Sequence, residues 1–258
     1  VSFLSRIAET FSGKPKYLAV VEYWVYASDP KPANISGAVA RLTRAGTITP
    51  AEAGLASDIR FFASTISRSH NPQLFRPDLL SDAIEPTSDQ LEALGRSDTI
   101  IKLRYLSETP LDDLRHVGFL PRLAIDVAKT KQAEVILDNV SEKLYSPDSL
   151  EQSLLDGEER YRPGNHLQTY WITSQDGGRA VTRGLMKVGL RELETPETRA
   201  DCRNIVVEVL GRAAEKLWLG EANPNLVHVS CYDDLFVVRV KPAKNGPSQA
   251  RIMRLHAS

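Results

Sequence analysis

The 258 residues carry 32 basic and 33 acidic side chains, a formal charge of -1, with 42% hydrophobic content. That is chain enough for a sizeable core, and the balance gives no global electrostatic case for nucleic acid or a charged membrane surface. No apolar run approaches the roughly 18–20 residues of a membrane span, and two cysteines, Cys202 and Cys231, are too few for a disulfide framework, which favours a reducing, cytoplasmic setting.

In chain order, Phe3, Leu4, Ile7, Ala8 and Phe11 predict a short amphipathic helix over 3–11, so residues 1–16 read as an N-terminal helical segment and 17–258 as a single α+β domain. No charged region followed by an apolar stretch and a cleavage site marks a leader. Residues 17–26, with one charge, predict a central strand. Ser36 is the expected cap of a helix reaching Gly46, and Thr49-Pro50-Ala51-Glu52 is a capping box that opens another. Residues 59–66 fit helix or strand by periodicity alone and are read as strand. The Pro-, Asn- and Asp-rich stretch 68–87 reads as an irregular connection, and Thr87-Ser88-Asp89-Gln90 caps a short helix.

Thr99 to Leu106 predicts a strand, and Thr109-Pro110 opens a helix that Pro121 should kink or split. Another strand follows over 133–138, then Leu144-Tyr145-Ser146-Pro147 leads into a short acidic helix, and 157–164 is a polar linker. Domain subdivision falls near 84–98 or 156–165. Tyr170-Trp171-Ile172-Thr173 and Arg179-Ala180-Val181-Thr182 flank Asp176-Gly177-Gly178, a hairpin whose glycines offer positive φ. Beyond Pro196, apolar residues at Cys202, Ile205, Val206, Val209, Leu210, Ala213, Leu217 and Trp218 predict a long amphipathic helix. Residues 227–231 and 235–240 predict a second hairpin, with a frayed basic tail after it. The fold class is α+β with largely antiparallel sheet and packed helices; strands around a Thr-Pro-capped helix at 99–138 and 167–240 suggest two ferredoxin-like halves.

The strand ending in Asp138 with Leu144-Tyr145-Ser146-Pro147, and Thr182-Arg183-Gly184-Leu185 through Gly189-Leu190-Arg191-Glu192-Leu193-Glu194, resemble a family of uncharacterised bacterial α+β domains of unknown function over roughly residues 110–220. Those segments are similar to its strand-Asp, Leu-Tyr-Ser-Pro, Thr-His-Gly-Leu and Glu-Leu-Glu motifs. Arg183 stands where the family has His, and Val188 where it has an aromatic residue. The resemblance transfers no activity, and a permanently protonated guanidinium at 183 removes any general base that the His supplied.

Phosphate-loop, dinucleotide, nucleophile-elbow and zinc-protease motifs are missing, so no cofactor or metal is expected. His228 and Cys231 point to opposite strand faces. Glu192 and Glu194 share one strand face in this reading, and Arg183 is paired with Glu192, Glu194 or Asp138 or else free to bind an anion. Candidate binding residues are Arg183, Asp138, Tyr145, His166, Glu192 and Glu194. The leading expectation is a non-catalytic protein-interaction module, an adaptor or immunity-type binder, with a protein partner or self-association through the Tyr170 hairpin or the 196–219 helix. Its rival is a hydrolase or transferase whose pocket gathers Asp138, Tyr145, His166, Arg183 and Glu192.

Overall fold

The computed structural model describes residues 19–109, 111–154, 161–243 and 246–255. The helix expected over 3–11, His256 and part of the 157–164 linker lie outside these.

The first sheet grows around β1 (Ala19–Ala27), which is buried along its whole length. After it come α1 (Ile35–Arg44), α2 (Pro50–Ala53), β2 (Phe61–Ser67), α3 (Ser88–Arg96), β3 (Thr99–Ser107), α4 (Arg115–Lys131), β4 (Val135–Asp138) and β5 (Lys143–Tyr145). The order is β2-β3-β1-β4-β5 with every pair antiparallel. β1 through β4, with helical crossovers after β1 and β3, have the arrangement of a ferredoxin-like βαββαβ unit. It begins at residue 19, well before the half expected at 99–138.

Period-two alternation explains why β1 needs cover on both sides. Val21, Tyr23 and Val25 share a core with α4 residues Val117, Leu120 and Leu123. Trp24 and Tyr26 face the other way and pack with Leu74, Phe75, Ile84 and Leu94. The stretch 68–87 is therefore more than a connection: its two 3-10 turns, Pro72–Phe75 and Pro77–Leu79, roof the second face. Each large apolar side chain so buried stabilises the fold by about 1.5–3 kcal/mol before entropy is counted.

Local signals set most helix starts. Thr49 with Glu52 and Thr87 with Gln90 form complete capping boxes. α1 differs, since Asn34 rather than Ser36 is its cap, accepting from the Gly37 N–H at 2.9 Å. α4 starts at Arg115, later than the Thr109 cap implied, and runs unbroken through Pro121. Twelve of its residues from His116 to Ala128 are buried, and that packing outweighs the one backbone bond proline removes.

α5 (Pro147–Gln152) and α6 (Pro163–His166) lead to the second sheet. Its elements are β6 (Gln168–Thr173), β7 (Gly178–Arg183), β8 (Leu193–Glu194), α7 (Arg203–Trp218), β9 (Leu226–Cys231), β10 (Asp234–Lys241) and β11 (Ser248–Leu255). The order is β6-β7-β8-β11-β10-β9, antiparallel except for the parallel β8–β11 pair. It does not repeat the first unit. The expected basic tail is β11, an interior strand whose Ser248 and Ala250 are buried while Gln249 and Arg251 face out. Neither Gly177 nor Gly178 takes positive φ. Close approach is their reason: a Cβ on Gly178 would lie 2.3 Å from the Ile172 carbonyl oxygen, and one on Gly177 2.1 Å from that of Thr198. Val21 and Tyr23 belong to the same apolar cluster as Leu185, Val206 and Val238, so both sheets share one core.

Candidate functional site

The Thr-Arg-Gly-Leu segment ends β7 and turns into a 3-10 helix, Leu185–Val188. Gly184 makes the turn at φ 114, where an added Cβ would meet the His166 carbonyl oxygen at 2.0 Å; only glycine fits there. Glu192 holds the turn closed. Its carboxylate accepts from the Gly184 N–H at 2.8 Å, the Met186 N–H at 3.2 Å and the Thr182 hydroxyl at 2.8 Å, and Thr182 Oγ1 accepts from the Leu193 N–H at 2.8 Å. Burial raises the Glu192 pKa, opposed by Thr182, Arg183 and the two N–H groups. Instead of facing solvent beside Glu194 on one strand face, Glu192 precedes β8 and is buried.

The turn delivers Lys187 into the first unit. Its Nζ donates to Asp138 at the end of β4, and both side chains are fully buried. Lys187 also donates to the His166 carbonyl at 3.3 Å, and its own carbonyl accepts from His116 Nε2 at 2.7 Å. Burial opposes charge on both partners. Lys187 and Ser141 nonetheless hold the Asp138 carboxyl below its ordinary range, while burial takes Lys187 below the usual lysine range against the pull of the Asp138 charge. Burial pushes the phenols of Tyr23 and Tyr145 well up, with the Asp138 charge adding to it.

Asp138 Oδ1 accepts from the N–H groups of Val140 and Ser141 at 3.2 Å each, tightening the β4–β5 turn. That turn puts Glu142 at φ 57, a left-handed conformation uncommon outside glycine. Glu142 accepts from the Ser81 hydroxyl at 2.7 Å and the Tyr170 hydroxyl at 3.2 Å, and its carboxylate lies 3.1 Å from Arg183 Nε. The guanidinium also stands over the Tyr170 ring, 5.5 Å from its centre.

Above this group opens a cleft of about 710 Å³, bordered by Glu142, Lys143, Gln168, Tyr170, Trp171 and Arg203 among others. It lies where the edge of the first sheet, β5, meets the edge of the second, β6, beside the first turn of α7. Gln168 and Arg183 are cross-strand neighbours. Gln168 Oε1 and Arg183 Nε are both buried and make no hydrogen bond; the Arg183–Glu142 contact is one of charge, without hydrogen-bond alignment.

Of the residues singled out from sequence, Asp138 and the His166 carbonyl meet at Lys187, and the Asp138 charge reaches Tyr145. Tyr145 donates to the Asn165 carbonyl at 3.4 Å, and the His166 ring stacks on Trp218 at 5.5 Å. Arg183 finds its acid in Glu142, a residue outside the three expected partners. Glu194 stands apart, 3.4 Å from Arg179. None of the six borders the cleft. Sequence reasoning missed Lys187 and Glu142. The Glu142 position had one signal, an acid in a short turn after a strand; a lysine in a glycine-bounded loop gives none. Cys202, expected buried in the helix, is half-buried and precedes α7, whereas Cys231 is buried.

Among the described residues no cluster of His, Cys, Asp or Glu side chains could hold a metal, and no helix is long and apolar enough to cross a membrane. The chain matches no protein-family model, no curated protein and no solved structure.

Proposed function

We propose that the chain is a non-catalytic, cytoplasmic protein-interaction module, and that the β5–β6 cleft receives a polypeptide segment of its partner. The observation that carries this is Gln168 Oε1, a buried acceptor without a hydrogen bond on a residue that borders the cleft. Buried acceptors without a donor are uncommon, and a backbone N–H of a docked segment supplies one. Tyr170 and Trp171, both half-buried, add the amphipathic aromatic surface that interfaces favour.

A hydrolase or transferase draws less support. Asp138, Tyr145 and Glu192 are buried and committed to bonds within the chain, which leaves no reactive side chain of that set facing water.

The test uses Arg203, which is exposed on the cleft rim. Immobilised wild-type chain and Arg203→Glu are compared for proteins captured from native lysate, with a photo-crosslinking residue at Thr169 to read contact inside the cleft. A protein that crosslinks to the wild type and is lost from Arg203→Glu supports the reading. Capture indifferent to both the rim and the cleft, or turnover of a small substrate that survives Arg203→Glu, overturns it.

A further inference from the structure

Among the described residues the two sheets leave four outer strands, β2, β5, β6 and β9. β5 is only three residues long and carries Lys143. β6 borders the cleft beside α7, the surface already assigned to a partner segment. β9 is covered from α7, since Lys216 Nζ donates to the His228 carbonyl and Arg212 Nη1 to the Ser230 carbonyl, each at 2.8 Å. Long basic side chains on an edge are a common guard against strand addition.

Among the described residues β2 has no such guard. Its seven residues, Phe61-Phe62-Ala63-Ser64-Thr65-Ile66-Ser67, contain no charge and no proline, and Phe62 through Thr65 are exposed. Phe62 is 53% exposed, and Ile59 just before the strand is 89% exposed. The Phe61 N–H donates to the Asp58 carbonyl and the Ser67 carbonyl accepts from the His70 and Asn71 N–H groups, which leaves Ala63 and Thr65 at the middle of the edge; a long, uncharged, β-prone edge is a template for another strand.

The sequence of this edge also says which strand fits. Antiparallel pairing of β2 with a second copy about a two-fold axis at Ser64 exchanges its main-chain hydrogen bonds chiefly between Ala63 and Thr65, since the Phe61 N–H and Ser67 carbonyl are already bonded within the chain. It sets Phe62 opposite Ile66, Ala63 opposite Thr65 and Phe61 opposite Ser67. Phe62 and Ile66 lie on one face of the strand, so the two-fold brings an aromatic against a β-branched side chain twice, a favourable cross-strand pair. The flanking cations that would then approach each other are already held within the chain. Arg60 pairs with Asp58 at 3.0 Å, and Arg68 donates to the carbonyls of Ser97 and Leu94.

We propose that two copies of this chain join edge to edge through β2, with Ser64 on the two-fold axis, fusing their five-stranded sheets into one continuous antiparallel sheet. The pairing uses one edge per copy, so assembly closes at the dimer. This inference does not depend on the cleft: β2 and β5 are opposite edges of the first sheet, and a partner bound at one leaves the other open.

The experiment is sedimentation equilibrium of the full chain over a concentration series, for wild type, Ser64→Glu and Ser64→Thr, each checked by circular dichroism. Ser64 neighbours Lys102 across β2–β3, so a carboxylate there is tolerated within one copy but faces its twin across the axis. The expected result is a wild-type dimer, unchanged in Ser64→Thr and weakened roughly five- to tenfold in Ser64→Glu. Independently, Ser64→Cys in a Cys202→Ser background should give an interchain disulfide on mild oxidation, and Thr65→Cys much less. A wild type that stays monomeric, a dimer insensitive to Ser64→Glu, or a disulfide formed equally well from position 65 would overturn the proposal.

Discussion

Lys187 and Asp138 form an ion pair in full burial, the lysine from the second sheet's turn and the aspartate from the first sheet's last long-paired strand. Taking two charges out of water is costly, and removing one strands the other. Lys187→Met should therefore cost about 3–5 kcal/mol in urea unfolding, and Asp138→Asn added to it should recover part of that loss. Equal stability of the single and double variants would mean that the pair contributes packing only.

Gly184 sits at φ 114 against the His166 carbonyl. Gly184→Ala adds both backbone strain and a clash with main chain, so a loss of at least about 2 kcal/mol or failure to accumulate as folded protein is expected. A thermal midpoint unchanged from wild type would contradict the close approach.

Glu192 should be more tolerant of amidation than of truncation. Glu192→Gln keeps an oxygen for the Gly184 and Met186 N–H groups and removes the burial cost that raises the Glu192 pKa, so its effect should stay within about 1 kcal/mol. Glu192→Ala leaves those buried donors unpaired and should cost about 2–4 kcal/mol by the same assay.

His116 gives the fold a pH dependence. Burial lowers its pKa from the ordinary 6.5, although the Lys187 carbonyl and Asp113 favour the protonated ring and Arg60 adds to the lowering. As pH falls through 6.5 the unfolded chain therefore takes up the proton first, and unfolding free energy declines from there down to the lower folded-state pKa. His116→Gln keeps a donor for the Lys187 carbonyl and should flatten that slope. An unaltered slope in the variant would assign the dependence to other groups.

Much of the architecture was legible because it rests on local rules. The boxes at Thr49 and Thr87, the hairpin after Tyr170 and the apolar stripe of α7 depend on residues within a few positions of one another. β11 escaped because Pro242, Gly246 and Pro247 break the chain before it and its arginines suggest a solvated tail, although Ser248 and Ala250 alternate with Gln249 and Arg251. The site was less legible. The Thr-Arg-Gly-Leu and Glu-Leu-Glu segments stood out in sequence, yet the residue they exist to place, Lys187, looks like any surface lysine until the two sheets are packed together. Arg183 was recognisable as a donor seeking an acid, but Glu142 becomes that acid only through the β4–β5 turn.

The place of β11 makes the second sheet depend on a chain segment far from most of it in sequence. β6, β7 and β8 on one side and β9 with β10 on the other have no hydrogen-bonded strand between them except β11. Without residues 248–255 that sheet has no continuous hydrogen-bonded ladder, whereas among the described residues every strand of the first sheet lies before residue 146. β11 is thus the keystone of the second sheet, the strand that makes its two halves continuous.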